Sequence, residues 1–248
     1  MSRQNVIVAR SAYKETCNTP VVLLADNLQI ELLKAKAFNG SGGAINVGIG
    51  KKFSTDSLIC YSITAASTPD ASLNSTLLAG TTTTIFSTTN NDGFMVGCKE
   101  KFSVIRFNVT QAEAGSPVYV LRYYDGTNMV TLTAESAPSA YTAGEQVIMF
   151  NPPLDWQQGS TAAVGGDSTY YYIELVATTA PSTAVQANSL GVVQLFDYQK
   201  SLPNLSYVDF DLSPSEGVVL NAKEGVVGYF SGSNNASNTL MVAYFVRK

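Results

Sequence analysis

Val118-Tyr119-Val120-Leu121-Arg122-Tyr123-Tyr124-Asp125-Gly126-Thr127-Asn128-Met129-Val130-Thr131-Leu132-Thr133 reads as two strands around a turn. β-Branched and aromatic residues dominate both arms, and such side chains fit a pleated, half-buried surface. Asp125-Gly126 between them is a strong short-range hairpin signal. The same grammar repeats on either side. Phe102 to Val109 is a β-branched and aromatic run. Gln146 to Phe150 is another, stopped by Pro152-Pro153, and Tyr170 to Val176 closes at Ala180-Pro181. Strands at this spacing, with turn residues between them, predict an all-β sandwich or barrel.

Leu23 to Ala37 contains good helix formers, and a helix could start after Asp26 or Asn27. Leu28, Ile30 and Leu32 alternate with polar residues, however, and Leu33, Ala35 and Ala37 alternate in the opposite phase. A period of two that changes phase at Leu32-Leu33 favours a strand with a bulge. Residues 65–74, 79–89, 157–169 and 177–188 are rich in Ser, Thr, Gly and turn residues and read as loops.

The two ends resemble each other. Residues 21–52 and 218–248 both open Val-Val-Leu and pass a Phe-x-Gly-Ser, Phe38 to Ser41 and Phe230 to Ser233. Both close on a basic pair, and each reads as strand, turn, strand, whether by repeat or by shared turn chemistry. Neither end is long enough to bury a core alone. The expected fold is therefore two β-sandwich, jelly-roll-like domains, one inserted into the other. Residues 1–75 and 191–248 form the discontinuous domain, and 76–190 form an inserted, outward-facing one.

Composition narrows the chemistry. Among 248 residues there is no His, which excludes a Ser-His-Asp or Cys-His nucleophile and His-ligated metal from this chain. Charged residues are 14% and the net charge is −4, which argues against a nucleic-acid binder, since that needs a basic stripe. Three widely spaced cysteines, Cys17, Cys60 and Cys98, do not make a disulfide framework and read as buried thiols. The polar start and the short apolar runs predict a soluble chain with no standard secretion signal and no membrane contact. Gly48 to Lys52 lacks the spacing of a phosphate loop, and Ser11-Ala12-Tyr13-Lys14 lacks the companion motifs of a Ser-Lys hydrolase. Asp155, Asp167 and Glu174 are the carboxylates from which a glycosidase pair would have to come, and each reads better as a solvated surface group. No cofactor is expected. Aromatic side chains are the more promising contact groups: Tyr123, Tyr124, Trp156 and Tyr171 could offer flat platforms to a sugar or a protein.

Several stretches carry a resemblance. They are Asn91 to Cys98, Phe102 to Val109, Tyr123 to Thr127, Phe150 to Trp156 and Tyr170 to Leu175. The flanks Lys36 to Gly42 and Val219 to Val227 add to them. In their Thr/Ser/Asn/Ala-rich strands and sparse charge they resemble the β-rich virion structural proteins of tailed bacteriophages, the head-decoration and tail-associated family. The resemblance implies a non-enzymatic structural protein assembled in the host cytoplasm and resident in the virion, in first place one that decorates or cements the capsid. The alternatives are a tail or baseplate adaptor and a carbohydrate-binding host-adhesion module. It implies other virion proteins as partners, the major capsid protein or tail proteins, and a homo-oligomer, for which a trimer is one form. A host glycan is a further partner to test. Residues 1–20, short and polar, are a candidate contact arm.

Overall fold

A computed structural model describes residues 15–16, 21–26, 30–40, 42–64, 68–159, 167–212, 224–230 and 239–246. The strands run in chain order as β1 (Glu15–Thr16), β2 (Val21–Asp26), β3 (Ile30–Phe38), β4 (Ile45–Lys52), β5 (Leu58–Thr64), β6 (Thr68–Ser72), β7 (Thr83–Phe86), β8 (Asp92–Cys98) and β9 (Val104–Gln111). They continue as β10 (Val118–Tyr124), β11 (Met129–Leu132), β12 (Gly144–Met149), β13 (Tyr171–Thr179), β14 (Val185–Leu202), β15 (Tyr207–Leu212), β16 (Gly225–Phe230) and β17 (Thr239–Val246). A single 3-10 turn, Thr55–Ser57, is the one helical element among the described residues. The protein is all-β, and its strands pair antiparallel, as β10 does with β11, β13 with β8, β16 with β4 and β17 with β3.

The chain divides into two compact units, Met1–Ser54 with Val193–Lys248, and Thr55–Val192. The expected boundaries at 75 and 191 need correction at the first of them. Residues 55–75 belong to the inserted unit, because β5 pairs with β8, Cys60 opposite Val96, and β6 pairs with β5. The Ser/Thr-rich stretch at 65–74 reads as a loop by composition. It nevertheless supplies an edge strand, tied down where Ala71 N–H donates to Ser62 Oγ at 3.1 Å and Cys60 N–H donates to Asn74 Oδ1 at 2.7 Å. The stretch 79–89 likewise contains β7, whose Ile85 and Phe86 are buried and whose Thr83 pairs with Ala187.

In the inserted unit one sheet has the order β11-β10-β13-β8-β5-β6. The other strands are β12, β9 and the first half of β14, with β7 along β14. Side chains alternate along each strand, so each sheet has two faces. Phe94 of β8 and Tyr119 of β10 point one way and meet Phe86, Phe107 and Tyr141, with ring centroids 4.5 to 5.8 Å apart. This aromatic layer joins the two sheets. The hydroxyl of Tyr119 donates to Glu113 at 2.6 Å, and burial followed by that carboxylate pushes the phenol far above its ordinary range.

The β10–β11 hairpin forms as its residues predict, with Tyr124 opposite Met129. Its connection is four residues long rather than the two of a tight Asp-Gly turn. Asp125 closes it: one carboxylate oxygen accepts the N–H groups of Thr127 and Asn128, both at 2.7 Å, while Gly126 takes the left-handed φ of 103°. Those donors hold the Asp125 carboxyl below its ordinary pKa. A depressed folded-state pKa gives stability that is present above the unfolded value and lost as pH falls through the folded one. Asp125→Ala is therefore expected to cost more stability at about pH 6 than at about pH 2 in paired urea titrations.

In the other unit, β1-β17-β3-β15 form one sheet, and the second half of β14 with β4, β16 and β2 forms another. The strand–turn–strand likeness of the two ends acquires a concrete meaning. β3 pairs with β17 and β4 pairs with β16, so the strands of one end pair with those of the other. Neither end is a hairpin, because each steps from one sheet to the other. The 23–37 segment is strand rather than helix, but it is two strands in two sheets, β2 and β3. Its bulge lies slightly earlier than the phase change predicts: Leu32 opposes Phe245 and Ile30 opposes Val246, leaving Glu31 extra. Of the expected contact arm 1–20, only Glu15–Thr16 is described, paired with Leu240 and Thr239; the rest, with Ser11, Lys14 and Cys17, lies outside the described residues.

Buried Asn39 fastens the turn after β3. Its side-chain amide donates to the carbonyls of Gly43 at 2.7 Å and Leu202 at 2.8 Å, while Leu205 N–H donates to the Asn39 carbonyl at 2.7 Å. Asn39→Ala leaves two carbonyls short of a donor and is expected to lower stability by about 2 kcal/mol, read as a shifted urea midpoint at constant m.

Candidate functional site

Alternation sends Met95, Tyr172 and Val176 to the face of the six-stranded sheet opposite the aromatic layer. There they pack with Tyr124 and Ile63, and the half-buried Tyr61, Ile59, Met129 and Tyr170 surround them. Gly97 makes this possible. A Cβ there would stand 2.6 Å from Tyr172 Cε1 and 2.7 Å from Ile59 Cγ2, so the phenol ring occupies the space a side chain would take. The Tyr172 hydroxyl donates to the Asp167 carbonyl at 2.9 Å and so clips the turn before β13 onto this face.

That turn carries Tyr170 and the exposed Asp167. Asp167 Oδ1 accepts Thr169 N–H at 2.9 Å and Thr169 Oγ1–H at 2.7 Å. These donors, and then the Lys99 charge, hold its carboxyl below the ordinary range. Lys99 lies 5.7 Å from the centroid of the Tyr170 ring, and Tyr170 lies 6.2 Å from Tyr172. Burial, then the nearby Asp167 carboxylate, raises the Tyr61 phenol, so at neutral pH it is a neutral hydroxyl able to donate. Further along this face, buried Glu174 faces Arg122 across β13 and β10 at 3.7 Å.

The four aromatic side chains singled out from sequence do not share a surface. Trp156 is 1% exposed and packs edge-on against Phe102, Phe150 and Tyr171 at 5.1 to 6.1 Å. Its indole N–H donates to the Tyr172 carbonyl at 3.1 Å. Tyr171 lies between Trp156 and Lys101, whose ammonium is 5.6 Å from the ring centroid and donates to the Pro153 carbonyl at 3.2 Å. Tyr123 is buried and donates to Asp155 at 3.0 Å; burial, then that bond, raises its pKa. Tyr124 is buried on the opposite face, its hydroxyl donating to the Gly126 carbonyl at 2.7 Å. The structure thus brings Trp156 and Tyr171 into contact, with Tyr123 tied to the Trp156 neighbour Asp155, and sets Tyr124 apart. The platform expectation fails for Trp156, Tyr123 and Tyr124 because the packing that stabilises the sheets takes up their rings.

Asp155, Asp167 and Glu174 are held by three separate partner sets: Tyr123, Thr169 and Arg122. Among the described residues no group of three His, Cys, Asp or Glu is placed to hold a metal ion. The described thiols, Cys60 and Cys98, are buried, and burial pushes the Cys60 thiol far up, away from reactivity. Tyr61 and Lys99 were not selected from sequence. The signal for them is the cross-strand register that places β5 beside β8 and the turn after β8 beside Tyr170, and neither is local in the chain.

No protein-family model matches this chain, and no curated protein does. Among solved structures, a chitosan-binding module from a chitosanase/glucanase of Paenibacillus sp. IK-5 aligns with 14% identity over 69% of this chain and 97% of the module, at a TM-score of 0.30. A likeness of that size carries no argument about fold or ligand.

Proposed function

We propose that this chain is a non-enzymatic structural subunit of a tailed-bacteriophage particle, in first place a capsid decoration protein, built as two β-sandwich domains. One observation supports an assembly role most directly. Leu205 and Tyr207 are 70% and 59% exposed on the turn before β15 and on β15 itself, and the Tyr207 ring stands 4.8 Å from that of Phe38. β15 is the last strand of its sheet among the described residues, so no described strand pairs with its outer ladder. Apolar side chains grouped on an open edge mark a contact surface better than single exposed ones do. Lys36 bridges to Asp209 at 3.6 Å, a solvated ion pair that keeps the edge polar before assembly. Sparse surface charge lowers the desolvation cost of a broad interface.

The test is co-sedimentation of the purified protein with tail-less phage heads and, separately, with isolated tails. Ordered binding to heads, lost by about tenfold or more in Leu205→Ser/Tyr207→Ser, is the expected result. Binding to tails alone would move the protein to a tail or baseplate adaptor, and binding to neither would overturn the particle reading. Light scattering of the same preparation reads the homo-oligomer, a trimer included.

A further inference from the structure

We propose that Tyr170, with Tyr61 beside it, is a platform for the ring of a neutral pyranose where both rings stay partly exposed over the packed face of the six-stranded sheet in the inserted unit. This goes beyond the assembly role, which uses the other unit. Both phenol rings are half-buried against the packed face that includes Tyr172, so each is fixed yet keeps part of its surface in water. The apolar C–H face of a sugar ring stacks on such surfaces, and the phenol hydroxyl supplies a polar handle.

The platform is built before any ligand arrives. Tyr172 Oη–H donates to the Asp167 carbonyl, Gly159 N–H donates to the Tyr170 carbonyl at 2.9 Å, and Gln158 Nε2 donates to the Thr169 carbonyl at 3.0 Å. The turn bearing Tyr170 is therefore held on both sides, and ordering it adds little to the cost of binding. Polar groups flank the ring. Lys99 offers an ammonium donor and Asp167 a carboxylate acceptor, both on exposed residues. The Lys99 contact with the Tyr170 ring is of the weak, solvent-exposed kind, so a sugar can displace it from the ring and take its hydrogen bond instead. One positive and one negative charge flank the platform together. An acidic saccharide would meet Asp167 and a cationic one would meet Lys99. A neutral, polyhydroxylated ring satisfies both.

The experiment applies the full chain to three sets of immobilised oligosaccharides: neutral hexose oligomers, sialylated or uronate-containing oligomers, and chitosan oligomers. Retention by neutral oligomers is expected. Tyr170→Ala should weaken it by about tenfold, a size usual for an aromatic contact at the centre of a site, and Tyr170→Phe should keep most of it. Lys99→Ala alters an exposed side chain, so it tests the same site without risk to folding, and it should weaken retention severalfold. A thermal melt unchanged in each variant assigns these losses to the site. Retention of no neutral oligomer at millimolar concentration would overturn the proposal. So would preference for acidic or cationic oligomers, or retention unaffected by Tyr170→Ala and Lys99→Ala. Particle binding is read in a separate assay and through Leu205 and Tyr207, so failure of one reading leaves the other standing.

Discussion

Trp156→Ala is expected to destabilise the inserted unit by about 4 kcal/mol, the upper part of the range for removing a buried aromatic. Three things are lost together. The indole fills a space bounded by Phe102, Phe150 and Tyr171, which cannot close fully, because those rings sit on β13 and on segments flanking β8, β9 and β12. The edge-on ring contacts disappear, each worth about 0.5–1.5 kcal/mol beyond area. The Tyr172 carbonyl loses its indole donor inside the structure. A melting temperature lower by about 10 °C is the expected readout for a unit of this size. Trp156→Phe should recover much of the packing but not the hydrogen bond. A melting temperature within about 2 °C of wild type for Trp156→Ala would show the indole to be a surface group after all.

Gly93→Ala is expected to cost about 3 kcal/mol, although it adds a single methyl group. Gly93 lies on β8 opposite Val176 of β13. A Cβ at this position would collide with the Leu175 carbonyl oxygen and would come within 2.9 Å of Val176 Cα. Those are backbone atoms of a strand held on both sides, by β8 and by β10, so no side-chain rotation relieves the clash. Relief requires β8 and β13 to separate, which weakens the ladder at the centre of the six-stranded sheet. Gly97→Ala meets a phenol ring and an isoleucine methyl instead, which can move, and should cost less in the same urea titration. Equal stability of Gly93→Ala and wild type would mean that β8 and β13 do not approach so closely.

Much of the strand content is legible locally. The arms of the β10–β11 hairpin, β9, β12 and β13 follow from β-branched and aromatic runs bounded by Gly, Pro and Asp. β6 and β7 do not, because Thr68–Ser72 and Thr83–Phe86 have no alternation and become strands through the neighbours they pair with. The first domain boundary falls after Ser54 rather than at 75 for the same reason: a Ser/Thr-rich stretch reads as a loop whether or not an edge strand uses its backbone. The candidate site was legible only in part. Tyrosine enrichment pointed to β13 and the turn before it, but local sequence does not say which of these rings stay partly exposed. Tyr170 and Tyr171 are neighbours in sequence and face opposite ways, one toward Tyr172 and Lys99 and one toward Trp156 and Lys101.

Composition and period by themselves determined the all-β class and the position of the best hairpin, because these depend on residue type and on neighbours one or two places away. The likeness of the two ends pointed to one domain, and only the structure shows that their strands pair with one another. Tertiary structure decided which rings are core and which are surface, where Asp125 closes its turn, and which carboxylate keeps which partner. A side chain's exposure depends on the register of strands far apart in the chain. A shift of one residue exchanges the two faces of a strand. Trp156 and Tyr170 differ in exposure because the first falls among rings from several elements and the second stays partly in water at the turn before β13.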